Sequence, residues 1–191
     1  MWAAGRGNLI CLQLLIDSGA DVEAVDQKGV TAVMRAAQGG HLTCLKLLVA
    51  SGAEVNAASD NGRTALMAAA QGGHLTCLQY LIDRGAEVDA ASLNGWTAII
   101  MAATGGHLTC LQYLIDVDGN VNAATQDGWT VIRRAAQGGH LTCLQLLLDS
   151  GAEVNAVDED GVTVYQLAAK GGHQDCMNYL RKEKSSCCLI F

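Results

Sequence analysis

The chain has 191 residues, of which 50% are hydrophobic and 16% are charged, and its formal net charge is −7 at pH 7. The apolar content excludes a disordered chain, and the negative charge argues against a general nucleic-acid-binding protein. No apolar run approaches the roughly 18 residues of a membrane-spanning helix, and the first residues lack the pattern of a signal peptide. We therefore predict one folded domain or one short array with a substantial core.

Glycine, histidine and cysteine each recur with a period of 33 residues. The recurring glycines are Gly29, Gly62, Gly95, Gly128 and Gly161, and the histidines are His41, His74, His107, His140 and His173. A fixed period of this length predicts a solenoid of stacked units. We place a partial unit at 1–24 and five fuller units starting at Val25, Ala58, Ala91, Ala124 and Val157.

Each unit is predicted to contain a turn followed by two antiparallel helices. In the unit 58–90, a turn at 60–62 precedes Thr64, a residue type that caps a helix, here over residues 65–71. The pair Gly72-Gly73 ends this helix, because glycine adopts the left-handed conformation without a Cβ penalty. A second helix follows, with a helical stripe of buried residues formed by Leu75, Leu78, Leu81 and Ile82, and it ends at Gly85.

Six of the eight cysteines occupy one position on the apolar stripe of the second helix. Neighbouring helices pack about 8–10 Å apart, whereas the Cα atoms of a disulfide lie about 4.4–6.8 Å apart. We therefore expect free, buried cysteines, as in a reducing compartment, and no metal site, because the chain has no C-x-x-C pair. These six are Cys11, Cys44, Cys77, Cys110, Cys143 and Cys176.

The recurring pattern G-x-T-x-L-x-x-A-A-x-x-G-H-L, followed by G-A-x-V-N-A, resembles the ankyrin repeat over about residues 1–182. The first motif is clear at Gly62, Thr64, Leu66, Ala69, Ala70, Gly73, His74 and Leu75, and the second at 151–156. The resemblance implies an all-α solenoid of helix-turn-helix units with hairpin-like turns. It also implies protein binding on a concave face made of hairpin tips and first helices, in a family that rarely contains enzymes.

The units depart from the family pattern in several places. The family's T-P-L-H box lacks its Pro and His in every unit, which removes a polar contact between neighbouring turns. In 91–123 the usual Gly-Ala pair is Asp118-Gly119, so we expect a distorted turn there. The last second helix is polar, as in a capping repeat, whereas the first unit starts inside its first helix. This start fits either a frayed end or a fragment of a longer array.

Nothing in the sequence indicates catalysis. All five histidines occupy the same helix-start position, and the nucleotide-loop and nucleophile-elbow motifs are missing. We therefore predict no catalytic residue, no cofactor and no small-molecule substrate.

The residues that vary between units around each turn are the candidates for partner binding. Trp96 and Trp129 hold the same position in adjacent units, so their rings are expected to lie near each other on one surface. Exposed tryptophan beside aliphatic residues is typical of an interface hot spot. The alternative is that each ring packs over its own hairpin. The predicted partner-binding residues are Arg63, Leu93, Trp96, Trp129, Arg133 and Arg134.

The last four residues, Cys188-Leu189-Ile190-Phe191, form a C-a-a-X signal for prenylation of Cys188. Phe at the last position favours geranylgeranyl over farnesyl. We expect a flexible tail over 183–191, palmitoylation of Cys187 as a second membrane signal, and contact of nearby lysines and arginines with anionic lipid.

These features predict a cytoplasmic adaptor held on the cytoplasmic face of a membrane, with a prenyltransferase and membrane lipid as tail partners. Two alternatives stay open. One is a soluble ankyrin binding or inhibitory protein whose tail is unmodified. The other is an effector of an intracellular bacterium that uses host prenylation.

Overall fold

A computed structural model describes residues 1–154 and 161–187, with side chains described as far as Glu183. This part of the chain contains twelve helices in six antiparallel pairs and no β-strand, which confirms the predicted all-α solenoid. The pairs are α1 (Trp2–Gly5) with α2 (Leu9–Asp17), α3 (Ala32–Gln38) with α4 (Leu42–Ala50), α5 (Ala65–Gly72) with α6 (Leu75–Asp83), α7 (Ala98–Gly105) with α8 (Leu108–Asp116), α9 (Val131–Gln137) with α10 (Leu141–Asp149), and α11 (Val164–Lys170) with α12 (Gln174–Cys187).

The helices form two layers. The odd-numbered helices pack side by side in one layer, and the even-numbered helices pack in a second layer behind them. Contacts within the odd-numbered layer are the more extensive, because these helices are rich in alanine and approach one another closely. The hairpins and the odd-numbered helices therefore border the side that the family resemblance predicts to be concave.

The local predictions for the unit 58–90 are confirmed for the helix cap and for most of the core, whereas Leu75 and Ile82 of the predicted buried stripe are only half-buried. The hydroxyl of Thr64 accepts a hydrogen bond from the backbone N–H of Met67 at 3.4 Å and caps α5. Leu78 and Leu81 on α6 are fully buried, and every residue from Ala65 to Ala70 is buried between neighbouring units. The core is continuous from one unit to the next, as stacking of incomplete units requires.

The cysteine prediction holds for all but one of the six positions. Cys44, Cys77, Cys110 and the equivalent residues of later units are free and buried. Desolvation raises the pKa of the Cys110 thiol to about 11, so this group stays protonated and behaves as a small apolar side chain. The expectation was wrong for Cys11, which is exposed because no described unit covers that face of α2. The same face exposes Ile10, Leu14 and Leu15.

The turn at Asp118-Gly119 differs from the expected distortion. The N–H of Gly119 donates to the carbonyl of Leu114 at 2.9 Å, as the N–H of Ala86 donates to that of Leu81 one unit earlier. Asp118 takes the left-handed backbone (φ 63°) that glycine takes in the sibling turns. The hydrogen-bond pattern is therefore retained, and the substitution of aspartate for glycine at position 118 introduces backbone strain.

Each histidine joins its unit to the preceding one. The Nε2–H of His74 donates to the carbonyl of Gln38 at 3.0 Å, and the same contact repeats in all five full units at 2.9–3.2 Å. The ring lies between two glycines, since a Cβ on Gly72 would approach its Cδ2 to 2.5 Å and a Cβ on Gly40 its Cε1 to 2.7 Å. The glycine pairs therefore both end the first helices and make room for these rings.

The long loops carry a second connection between units. The side chain of Asn56 donates to the carbonyl of Gly85 at 2.9 Å and accepts from the N–H of Glu87 at 3.0 Å. Asp89 and Asn122 accept from the backbone of the following loops in the same way. Neighbouring units are thus held in one register by a histidine at the helix start and by an amide or carboxylate in the loop.

The C-terminal end of the described chain is helical. Helix α12 continues to Cys187, so the backbone over 183–187 is helical. Cys188 and the residues after it lie outside the described part of the chain. Among the described helices, none combines the length and the hydropathy that crossing a membrane requires.

We predict that Gly73→Ala destabilises the array much more than Gly172→Ala. Both glycines have φ near +70°, so both variants lose about 1 kcal/mol from the backbone. A Cβ at Gly73 would also lie 2.5 Å from Nδ1 of His107, whereas no described atom lies within 4 Å of a Cβ at Gly172. Chemical denaturation is expected to give a further loss of about 1–3 kcal/mol in the Gly73 variant. Equal losses in the two variants would show that the histidine ring does not constrain the stacking.

Candidate protein-binding surface

The hairpins of neighbouring units are joined into one continuous edge beside the odd-numbered helices. The N–H of Leu93 donates to the carbonyl of Asn61 at 2.9 Å, and the N–H of Gln126 donates to the carbonyl of Asn94 at 3.0 Å. A hydroxyl inside three hairpins accepts from the N–H of the residue before the helix cap, as Ser92 accepts from the N–H of Trp96 at 3.0 Å. The backbone of each predicted contact residue is therefore held before any partner arrives.

Trp96 and Trp129 lie on either side of one arginine. The guanidinium carbon of Arg134 is 4.6 Å from the ring centroid of Trp96 and 4.3 Å from that of Trp129. These distances are within the range of cation–π attraction. The predicted proximity of the two rings is confirmed, and both rings are half-buried.

The stack changes the electrostatics of Arg134. Burial lowers the pKa of its guanidinium, the carboxylate of Asp127 acts in the opposite direction, and the charge of Arg133 adds to the lowering. Arginine remains charged at neutral pH in spite of this shift. The site is thus a partly desolvated cation between two aromatic faces.

Arg133 is a correction to the predicted surface. Its side chain is fully buried, and its Nη1 donates to the carbonyl of Val162 in the next hairpin at 2.8 Å. The equivalent positions of earlier units hold Met34, Met67 and Ile100, all of them buried. This repeat position faces the core in every earlier unit, which was a signal in the sequence that Arg133 connects units and does not meet a partner.

Arg63 and Leu93 lie on the N-terminal side of the tryptophans. The Nη2 of Arg63 donates to Oε1 of Gln71, and burial lowers the pKa of its guanidinium, with the charge of Arg35 as a smaller cause. Leu93, at a hairpin tip, is 64% exposed. Between Arg63 and Trp96 is an open cavity of about 390 Å³, and sequence analysis had not selected its other lining residues Gln71, Met101 and Thr104.

Comparison with protein families agrees with this architecture. The profile described as "Ankyrin repeats (3 copies)" matches residues 1–92, 88–158 and 118–189. The chain belongs to the ankyrin-repeat family. A comparison with curated proteins gave no significant match. Ankyrin repeats are generally non-catalytic modules for protein–protein interaction, so the surface described above is considered as a surface for a protein partner.

The concave side of this ankyrin array carries cations together with hairpin carboxylates such as Asp60 and Asp127. We use the term concave groove for the surface formed by Arg63, Trp96, Met101, Trp129 and Arg134. Neither of its arginines has a carboxylate within 4 Å in the described part of the chain, whereas Arg35 beside it is paired with Asp26 at 2.8 Å. Acidic residues end the outer helices α2, α6, α8 and α10. An array with a net charge of −7 therefore presents unpaired cations on its concave side.

We predict that Arg133 has a structural role that methionine can fulfil. Arg133→Met introduces the side chain found at the same position in two sibling units and avoids burying a charge, so the free energy of unfolding should stay within about 1 kcal/mol of the parent value or rise. Arg133→Ala should lose about 2–4 kcal/mol, because it leaves a cavity and removes the hydrogen bond to the carbonyl of Val162. Thermal and chemical denaturation check both values, and a Met variant as unstable as the Ala variant would contradict this role.

Proposed function

We propose that this ankyrin-repeat protein is a non-catalytic adaptor that binds one protein partner in the concave groove. The observation that carries the proposal is the stack of Trp96, Arg134 and Trp129. Tryptophan and arginine are the residue types most enriched among interface hot spots. Here they are brought together from two adjacent units at centroid distances of 4.3–4.6 Å, on a surface that the described chain leaves open.

Preorganisation supports this assignment. Binding costs about 0.5–1.5 kcal/mol for each flexible side chain that it immobilises. The two indoles are already held by Arg134, and their backbones are held by Ser92 and Thr125. A partner that covers them would bury large apolar faces with little further loss of side-chain entropy.

The surroundings of the stack fit an interface. Leu93 offers an exposed aliphatic side chain at the hairpin edge, and the cavity between Arg63 and Trp96 is large enough for one side chain of a partner. Polar residues such as Gln71 and Gln137 border the aromatic centre on the exposed side of the first helices. An apolar centre inside a polar rim is the usual arrangement of a protein–protein interface.

The second part of the proposal concerns the C-terminal residues. For a polypeptide that ends at Phe191, the Cys188-Leu189-Ile190-Phe191 motif supports prenylation of Cys188 by a cellular prenyltransferase. One isoprenoid gives only marginal membrane binding, so we propose palmitoylation of Cys187 or contact of Arg181 and Lys182 with anionic lipid as the second signal. The adaptor would then hold its partner at the cytoplasmic face of a membrane.

The partner-binding role is tested by photo-crosslinking in cells. A photoreactive amino acid replaces Leu93 on the hairpin edge, and a matched control replaces Gln112, which is exposed on the outer helix α8. We expect a specific protein adduct from the Leu93 site and none from the Gln112 site. Introducing Trp96→Ala together with Trp129→Ala should reduce the yield of that adduct at least about tenfold, since hot-spot residues contribute about 2 kcal/mol or more. An adduct that persists in the double variant would place the binding surface elsewhere.

The membrane role is tested by the intact mass of the protein expressed in eukaryotic cells, measured separately for membrane and soluble fractions. We expect the mass of one added isoprenoid, loss of the last three residues and recovery with membranes. A Cys188→Ser control should be unmodified and soluble. An unmodified parent protein in the soluble fraction would favour a soluble ankyrin binding protein.

A further inference from the structure

We propose that the guanidinium of Arg134, held between Trp96 and Trp129, binds a carboxylate side chain from an acidic segment of the protein partner. This inference rests on the proposed function, because it specifies the chemistry of a ligand for the same groove. It adds to that function a charge requirement that the aromatic contacts alone do not impose.

The geometry leaves the hydrogen-bonding edge of Arg134 unused. The two indoles lie 4.6 Å and 4.3 Å from the guanidinium carbon, so they cover the planar group. A guanidinium carries five N–H donors, all of them in its plane. The described residues supply one long hydrogen bond, 3.4 Å from Nη1 to Oε1 of Gln137, and no partner for the buried Nε. Among the described residues, Nη2 of Arg134 therefore has no hydrogen-bond partner and Nη1 has only a long one, so both remain open to a ligand.

Among the described residues, no charged neighbour forms an ion pair with Arg134. Asp127 is close enough to act on the charge of Arg134, but its carboxylate accepts a hydrogen bond from the hydroxyl of Thr125 and forms no ion pair with Arg134. The neighbouring Arg133 is buried and directed to the carbonyl of Val162. A single planar guanidinium matches the two oxygens of a carboxylate, whereas phosphate sites usually combine several arginines.

The rest of the groove fits an extended acidic segment. Arg63 lies two units before Arg134, which corresponds to about 20 Å at the usual spacing of packed helices. An extended peptide covers this distance with about six residues. Acidic residues near both ends of such a segment would reach both arginines, and an apolar side chain between them would enter the cavity beside Trp96 and Met101.

The test uses two fluorescently labelled peptides of about twelve residues, one alternating Glu and Ala and the other alternating Gln and Ala. Their binding to the full chain is measured by fluorescence anisotropy at low and at high salt. We expect the Glu peptide to bind at least about tenfold more tightly than the Gln peptide, the size of a charge-assisted hydrogen bond. High salt should reduce this preference.

Two variants test whether Arg134 causes the preference for the Glu peptide. Arg134→Gln should remove the preference for the Glu peptide, and the matched control Arg84→Gln, which removes an arginine over Tyr80 on the outer helix α6, should retain it. Gln137→Glu keeps Arg134 in place and supplies an internal carboxylate to its unused donors. This second variant should also reduce Glu-peptide binding at least about tenfold, whereas Gln112→Glu, with the same net charge, should not.

Three results would overturn the proposal: no preference of the parent protein for the Glu peptide, a preference that survives Arg134→Gln in a folded variant, or equal losses in Gln137→Glu and Gln112→Glu. Any of these would leave the adaptor function standing if crosslinking at Leu93 still yields a partner that requires Trp96 and Trp129. Loss of that partner adduct, in contrast, would reject the groove itself.

Discussion

The stacking of the units in one register depends on one contact, in which the imidazole ring of a histidine lies between two glycines. The Nε2–H of each histidine donates to the last turn of the preceding first helix, and the ring fits because glycine lies on both of its sides. The spacing of the units follows from this contact, and so does the spacing of the hairpins. Trp96 and Trp129 reach the same guanidinium only because consecutive hairpins are held at that distance.

Two consecutive arginines on α9 show how one helix serves both stability and binding. Successive residues of an α-helix point about 100° apart, so Arg133 and Arg134 differ in burial, although their guanidinium carbons lie 5.1 Å and 4.3 Å from the centroid of the same Trp129 ring. Arg133 occupies a core position and donates to the carbonyl of Val162 in the next unit. Arg134 occupies the position of Met101 in the preceding unit and lies on the groove. The first arginine fixes the hairpin beside the site, and the second forms the centre of the site.

Most of the fold could be predicted because each physical cause repeats along the sequence. A threonine at the cap position, a glycine pair and a stripe of leucines occur in register in unit after unit, so every unit supports the assignment of the others. Single substitutions were predicted less well. Arg133 was assigned to the surface from its charge, although its repeat position is apolar in three siblings. Cys11 was assigned to the core from its repeat position, although burial there requires a neighbouring unit that the described chain does not provide.

The candidate site was predicted in part for the same reason. The shared repeat position of Trp96 and Trp129 indicated that their rings would be close, because position within a unit determines position on the surface. The place of Arg134 between them depends on rotamers of three long side chains from two units, and spacing alone does not specify rotamers. This arrangement gives the groove its chemical character. Two indoles without the cation would form a general apolar patch, whereas the same indoles with a desolvated guanidinium favour a partner that brings an apolar surface and a negative charge together.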